Sequence, residues 1–360
     1  MRVVALLTTG VLAACRSTTG NGGGPPPPPP PPPPRGAPTV RVQGNQLVDS
    51  AGRAVRLRGV NRSGTEYACG QGWGIFDGPS DSASVQAIRS WSANVVRVPL
   101  NETCWLSING VNPAYSGANY RRAISDFVAL LNRIGFVVIL ELHWSAADTA
   151  KALGQAPMPN RDHTPEFWYQ VAAAYKGNNH VVFDLFNEPF PDNNSDTPEA
   201  WRCWRDGGTC RGMTFQAAGM QELVDTVRST GATNVIMLGG VQYSARLSSW
   251  LTYRPTDPLG NLAASWHIYN FSWCNAQTCW DGDAGPVALQ VPLVLGELGQ
   301  DNFATSGNGF VDSLMDWMDA RQGSYLAWVW DVWGSPLDLI TSYDGTPTPY
   351  GQTFRTRFAQ

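Results

Sequence analysis

Between residues 55 and 331 the chain alternates eight times between a short apolar run and a longer amphipathic stretch, and this constrains its fold more than any other feature. The runs predicted as strands are Val55 to Asn61, Asn94 to Leu100, Phe136 to Trp144, Val181 to Glu188, Asn234 to Gly240, Ala263 to Tyr269, Leu293 to Leu298 and Tyr325 to Asp331. In the stretch from Tyr120 to Ile134, residues Ile124, Phe127, Val128, Leu131 and Ile134 recur at spacings of three and four, the mark of one helix face. Further helices are predicted at Ser84 to Ser92, Pro165 to Tyr175, Phe215 to Ser229, Ala245 to Tyr253 and Phe310 to Arg321. Near-continuous apolar strands are covered on both faces, and eight strand–helix units imply a parallel sheet closed into an α/β (β/α)8 TIM barrel. An open doubly wound sheet would carry a glycine-rich first turn, and Gly59-Val60-Asn61-Arg62-Ser63-Gly64 does not fit G-x-G-x-x-G. Ahead of the first unit, Thr39 to Val42 and Gln46 to Asp49 flank Gln43-Gly44-Asn45 as an N-terminal β-hairpin, placed to cover the N-terminal mouth.

The ends of the chain read differently. Met1-Arg2, an apolar stretch from Val3 to Ala14, and then Cys15 form a charged n-region, a short h-region and a small-residue cleavage site. Leu12-Ala13-Ala14-Cys15 resembles the bacterial lipobox, whose cysteine becomes the acylated first residue, so residues 1–15 are expected to be a lipoprotein signal peptide with lipidation at Cys15. Residues 16–36 are a Gly/Pro-rich linker, and its proline run, Pro25 to Pro34, would extend about 30 Å as polyproline II. An exported location, lipid-anchored at the bacterial cell envelope or else secreted, follows as an expectation, with the membrane as one partner through the anchor. The remaining six cysteines fall into three sequence-local pairs, Cys69 with Cys104, Cys203 with Cys210 and Cys274 with Cys279, one of 15 connectivities. An exported chain without C-x-x-C spacing favours disulfides over metal ligands. A net charge of −4 without a basic cluster argues against nucleic acid as a partner. Composition is even over 37–360, which reads as one catalytic domain, expected as a monomer.

In a barrel, chemistry sits where the strands emerge at their C-terminal ends. There the chain carries Asn61, Arg97, His143, Asn187 with Glu188, His267 with Tyr269, Glu297 and Trp330. Singly, each has an ordinary structural explanation, such as a barrel ion pair or a satisfied core histidine. Polar or aromatic residues at seven strand ends on one rim are not needed by an apolar interior. Glu188 and Glu297 end the fourth and seventh strands, across the mouth from each other. Cleaving an acetal needs a protonated acid at the leaving oxygen and a carboxylate on the other side of the anomeric carbon, about 5 Å apart if configuration is retained. Tyr269 is positioned to donate to Glu297 while Arg97 stabilises it by charge. Asn187 is the candidate contact to the sugar 2-hydroxyl, His143 and His267 complete the network with His267 near Glu188, and Trp330 is the candidate floor.

These residues resemble glycoside hydrolase family 5, of the clan of retaining β-glycosidases that includes cellulases and mannanases. The resemblance rests on Arg97 in Val-Arg-Val-Pro, His143 in Glu-Leu-His-Trp, Asn187-Glu188-Pro189, His267-Ile268-Tyr269, Glu297 in Gly-Glu-Leu-Gly and Trp330 in Ala-Trp-Val-Trp, in the family's order. It implies Glu188 as acid/base and Glu297 as nucleophile. At strand eight, Trp328 competes with Trp330 for the platform role.

Tryptophan is abundant at 15 residues, and aromatic faces stack on sugar rings. Loops after the strands carry Trp73, Trp105, Trp144, Trp273, Trp280 and Trp333, of which Trp144, Trp273 and Trp333 join Trp330 as the candidate substrate contacts. They favour an open cleft and endo cleavage of a β-linked oligo- or polysaccharide, a cellulose-like β-1,4-glucan first. Mannan, xyloglucan and exo action on a β-glycoside stay open, because loops bracketed by the cysteine pairs could wall off one end. A metal-dependent hydrolase would need a ligand cluster, and four histidines without H-x-H or H-E-x-x-H do not supply one, so neither metal nor cofactor is expected. Ser-His-Asp catalysis lacks its G-x-S-x-G elbow. A surface carbohydrate-binding protein without activity is the remaining rival, and the two carboxylates with their supporting residues argue against it.

Overall fold

The computed structural model describes residues 36–360, so the expected signal peptide, Cys15 and most of the linker lie outside the described residues. Two short antiparallel strands come first, β1 (Arg41–Gln43) and β2 (Gln46–Val48), turning at Gly44-Asn45 with Gly44 at φ 60°. Four parallel strands follow: β3 (Arg58–Asn61), β4 (Val95–Asn101), β5 (Val137–Trp144) and β6 (Val181–Asp184). After an antiparallel pair, β7 (Gly207–Thr209) and β8 (Gln216–Ala218), four more parallel strands complete the set: β9 (Ile236–Gly239), β10 (Leu262–Tyr269), β11 (Leu293–Gly299) and β12 (Ser324–Ala327). The order β3-β4-β5-β6-β9-β10-β11-β12 closes on itself, with β12 pairing β3 in parallel. This is the eightfold barrel that the alternation demands.

The barrel is packed from its floor upward. Leu57, Val95, Val137, Val182, Met237, Ala263, Val294 and Leu326 form one buried layer, and Val40 and Leu47 of the hairpin pack beneath it. Val42 N–H donates to Asn261 Oδ1 at 2.7 Å and Val40 N–H to Asn179 O at 2.9 Å, pinning the hairpin over the N-terminal mouth. Outside, the helix Ala118–Ile134 buries Tyr120, Ile124, Phe127, Val128, Leu131 and Ile134 and stops at Gly135, whose φ of 112° is a conformation that glycine adopts without penalty. The helix Ser82–Arg89 starts where Asp81 caps the Ser84 N–H.

Several expected boundaries move. The predicted helix Phe215 to Ser229 begins only at Met220, because Gln216–Ala218 pairs with Gly207–Thr209 and Ala218 N–H donates to Pro159 O. The predicted helix Ala245 to Tyr253 is reduced to Trp250–Tyr253, since Leu247 N–H is drawn to Asp283 Oδ2 at 2.7 Å. The last strand ends at Ala327, not Asp331. All three cysteine pairings form: Cys69–Cys104, Cys203–Cys210 and Cys274–Cys279.

Candidate active site

The fourth barrel strand stops at Asp184, and Leu185 to Pro189 continues its direction with single bonds to its neighbours, Leu185 N–H to Met237 O and Asn187 N–H to Leu142 O. Pro189 has no N–H with which to extend the ladder, so Asn187 and Glu188 are released at the mouth. Glu297 arrives on β11, immediately after Gly296. A Cβ at Gly296 would sit 2.8 Å from His267 Nε2 and 2.9 Å from Ser265 Oγ, so only glycine lets β10 and β11 bring His267 and Glu297 this close. A carboxylate oxygen of Glu188, one of Glu297 and a ring nitrogen of His267 all lie within 4.8 Å of one another.

Arg97, fully buried on β4, organises the floor of the site. Its Nη1 donates to Glu297 Oε1 at 2.9 Å and to Asn61 Oδ1 at 3.0 Å, its Nη2 to Asn187 Oδ1 at 2.8 Å, and its Nε to Asp184 Oδ2 at 3.2 Å. Glu141 Oε2 stands 3.7 Å from Nη2. Removing one member of a buried charged cluster like this costs about 3–5 kcal/mol, because the others are left uncompensated. Tyr269 donates its hydroxyl to Glu297 Oε2 at 2.6 Å, so both oxygens of this carboxylate are held, one of them by a cation. Because the Asn187 carbonyl is engaged with Arg97, its amide NH2 is the end left to donate to a ligand.

Four titrating groups are set apart by their surroundings. Burial raises the carboxyl of Glu188 above the ordinary carboxylate range, against the pull of Gln155, whose Nε2 donates to Glu188 Oε2 at 2.6 Å. Burial also pushes Asp184 up to about 7, opposed by Arg97. His267 is held down to about 4 by burial and is therefore a neutral imidazole, with Nδ1 3.0 Å from Glu188 Oε1. His143 goes the other way: burial disfavours its charge, but Glu141, whose Oε2 lies 3.0 Å from Nδ1, outweighs it and lifts the ring to about 9. One carboxyl biased toward its proton stands beside another held by donors, the environments that acid and nucleophile require.

Around these groups opens a cavity of about 840 Å³, lined among others by Trp144, Asn187, Glu188, Tyr243, Trp273 and Trp328. Ten of the fifteen tryptophans are buried, Trp105 and Trp280 among them, so these two loop candidates belong to the core. The other five are Trp73, Trp144, Trp273, Trp328 and Trp333, and all stand at the mouth: three line the cavity, and Trp73 and Trp333 pack around Tyr67, which also touches Trp144. Trp330, expected as the floor, is a correction. It is fully buried, edge-on to Trp91 at 4.7 Å, while Trp328 lines the cavity and lies parallel to His143 with centroids 5.9 Å apart. The physical reason is the early end of β12. Beyond Ala327 the backbone turns, with Val329 N–H to Leu337 O and Trp330 N–H to Asn61 O, so the side-chain alternation assumed up to Asp331 does not hold.

The other expected site residues, Arg97, His143, Asn187, Glu188, His267, Tyr269 and Glu297, converge on one locus. Glu141, Asp184 and Gln155 were not anticipated. Asp184 had a signal, a charge inside an apolar strand, and Glu141 had one in its place two residues before His143 on the same strand face. Gln155 had none, since it comes from an irregular loop. Among the described residues, Glu188, His267 and Glu297 are also the one set whose atoms converge closely enough to hold a cation. In that set both oxygens of Glu297 accept hydrogen bonds, Oε1 from Arg97 and Oε2 from Tyr269.

A closed (β/α)8 barrel with two carboxylates this close at the ends of its fourth and seventh strands defines the class: a barrel glycoside hydrolase. The family model for cellulase (glycosyl hydrolase family 5) matches residues 48–334, and the chain belongs to that family. It is similar to a mannan endo-1,4-beta-mannosidase of Salipaludibacillus agaradhaerens, 21% identical over 294 residues and 80% of each chain. It is likewise similar to endoglucanase N of Pectobacterium atrosepticum, 22% identical over 289 residues; that match takes in 80% of this chain and spans about half, 55%, of the relative's length. Among solved structures, the β-glucanase SdGluc5_26A of Saccharophagus degradans in complex with cellotetraose has the same fold, with a TM-score of 0.69 and 21% identity over 90% of this chain and 94% of that one.

Proposed function

We propose that this chain is an endo-acting β-1,4-glucanase that cleaves by double displacement, with Glu188 as acid/base and Glu297 as nucleophile. The observation that carries the reading is the spacing of the two carboxylates, within 4.8 Å at their nearest, which suits direct attack on the anomeric carbon and leaves no room for an intervening water. A Glu297 oxygen bonds to the anomeric carbon as Glu188 passes its proton to the leaving oxygen. Glu188, now ionised, then takes a proton from water, whose oxygen displaces Glu297. Donation from the Asn187 amide to the 2-hydroxyl strengthens as positive charge develops on the ring. Aromatic residues on both sides of the catalytic pair support an open cleft and hence endo action. The endoglucanase relative and the cellotetraose held by a neighbour of the same fold support a β-glucan; the mannosidase relative supports mannan as the second reading.

The test is a hydrolysis screen over purified β-glucans, mannans and xyloglucan with product lengths resolved, and NMR on the first products. Oligomeric cello-products appearing first as the β-anomer are expected. Release of monosaccharide alone sinks endo action, cleavage confined to mannan sinks the glucan, and an initial α-anomer sinks double displacement. We infer in addition that the domain is tethered at the bacterial envelope through Cys15. What supports this is the lipobox-like Leu12 to Cys15 and the proline run behind it, together with the bridging of all six cysteines of 37–360. Metabolic labelling with a fatty-acid analogue, lost in Cys15→Ser, is the expected result; labelling that survives the substitution refutes the anchor.

A further inference from the structure

A second groove, of about 400 Å³, opens on the flank of the barrel between the helices Ala118–Ile134 and Thr164–Tyr175, and it shares no residue with the catalytic cavity. Arg121 lines it from the first helix, and Tyr169, Gln170, Ala173 and Ala174 line it from the second. The two alanines keep that wall low. Trp105 lines the groove as well, arriving from the short helix Glu102–Leu106 in the connection that leaves β4 at the mouth. Its neighbour Cys104 is bridged to Cys69, in the connection after β3 that also carries Trp73, so the groove is covalently tied to the aromatic rim.

Trp105 is 1% exposed and packs edge-on against Phe167 at 5.9 Å and Tyr120 at 6.5 Å, yet its indole N–H has no partner among the described residues. An indole nitrogen can only donate, and a buried donor left unpaired is costly, so a buried tryptophan ordinarily finds an acceptor. Trp168, Trp204 and Trp250 do so, on Leu185 O, Gly239 O and Leu238 O. Trp330 also lacks a partner but lines neither the groove nor the catalytic cavity. For Trp105, the groove is where an outside acceptor can approach. Arg121 spends one of its five donors on Trp105 O at 2.6 Å, and Gln170 Nε2 donates to Glu166 Oε1 at 2.8 Å, which leaves the Gln170 carbonyl to accept. Tyr169 adds a ring that is 48% exposed. A flat ring beside donors and an acceptor, with one cation and no carboxylate in the lining, suits an uncharged polyhydroxylated ligand, and sugars offer an apolar ring face together with hydroxyls.

We propose that this flank groove is a second, non-catalytic binding site for the polysaccharide: Tyr169 stacks on a sugar ring, the Trp105 indole N–H donates to a hydroxyl oxygen, and Arg121 and Gln170 hold neighbouring hydroxyls. This rests on the β-glucanase reading and adds where an uncut stretch of the polymer is held. The experiment measures kinetics on hydroxyethylcellulose, an uncharged soluble β-1,4-glucan, and on cellotetraose, whose hydrolysis needs the cleft alone. Retardation of each protein in native gels cast with hydroxyethylcellulose accompanies it. In Tyr169→Ala and in Ala173→Glu, which fills the groove, KM for the polymer rises by about threefold or more and retardation falls, while kcat/KM for cellotetraose stays within about twofold of wild type. Turnover of cellotetraose reports that each variant is folded. Polymer KM and retardation unchanged in Tyr169→Ala overturn the groove alone. An effect confined to carboxymethylcellulose, absent on the uncharged polymer, overturns the sugar assignment in favour of an anion site. A wild-type enzyme that cleaves neither the polymer nor cellotetraose overturns the β-glucanase reading and the groove with it.

Discussion

Replacing Tyr269 with phenylalanine removes one oxygen atom and, with it, the hydroxyl that donates to Glu297 Oε2 at 2.6 Å. Phenylalanine fills nearly the same volume, so the loss is electrostatic and not a cavity. The phenol is a donor throughout the working range, because burial, then the charges of Glu297 and Glu188, hold its ionisation well above the ordinary tyrosine value. Once it is gone, the nearest other donor position to Oε2 is His267 Nδ1 at 3.7 Å, beyond hydrogen-bond reach, while Arg97 continues to hold Oε1. A hydrogen bond to a charged group contributes about 1.5–3 kcal/mol, which corresponds to roughly a tenfold to hundredfold loss in kcat/KM. The loss falls mainly on kcat, since the hydroxyl orients the nucleophile and leaves the aromatic walls of the cleft untouched. The same unsatisfied oxygen lowers folding stability, so thermal melting by circular dichroism drops by a few degrees, about 2–4 °C per kcal/mol for a domain of this size, with the fold intact at assay temperature. Steady-state kinetics on cellopentaose together with the melt check both arms. A kcat/KM within about twofold of wild type would refute the assignment of Glu297 as the nucleophile that this hydroxyl serves.

Three further outcomes are expected. In its proposed role as acid, Glu188 must be protonated, and burial raises its carboxyl, so activity persists above the ordinary carboxylate range and falls as pH rises through the raised value. Gln155→Ala removes a donor that favours the ionised form, and the descending limb of kcat/KM against pH moves to higher pH; a limb that stays or moves down contradicts the contact. At strand eight, Trp330→Ala lowers stability by about 3–5 kcal/mol as a core truncation, whereas Trp328→Ala depresses activity with little change in melting; the reverse pattern in paired melts and assays would restore Trp330 as the platform. Treatment with a chelator leaves the rate unchanged, and activity lost and then regained with a divalent ion would reassign Glu188, His267 and Glu297 as a metal site.

Much of the barrel was legible because its signal is redundant. Eight apolar runs separated by amphipathic stretches survive errors of several residues at each boundary, and most site residues sit near or just beyond strand ends, where a coarse strand prediction is enough to place them; Arg97 instead lies inside β4, four residues before its end. Asn187, Glu188, His267, Tyr269 and Glu297 were placed in that way. What was illegible depends on backbone that leaves regular structure. Trp328 and Trp330 differ by two positions and in an extended strand would share a face, so no pattern rule separates them; the turn after Ala327 does. The left-handed turns at Asp192 and Gln242 contain no glycine to announce them, and Gln155 reaches Glu188 from a loop whose path is set by tertiary contacts. Tryptophan abundance pointed the right way only in part, because most of those rings pack the interior.

The three disulfides all lie in connections that leave the C-terminal ends of the strands, after β3 and β4, within the β6 to β9 connection, and after β10; none joins one barrel strand to another. Covalent reinforcement is thus spent on the rim, and the staves of the barrel are left to packing and backbone pairing. A thiol reductant should therefore blunt the enzyme's grip on its substrate well before it dissolves the fold. The same division means that loops around the mouth can be exchanged and re-stapled as modules, which makes the rim the natural place to re-engineer substrate preference.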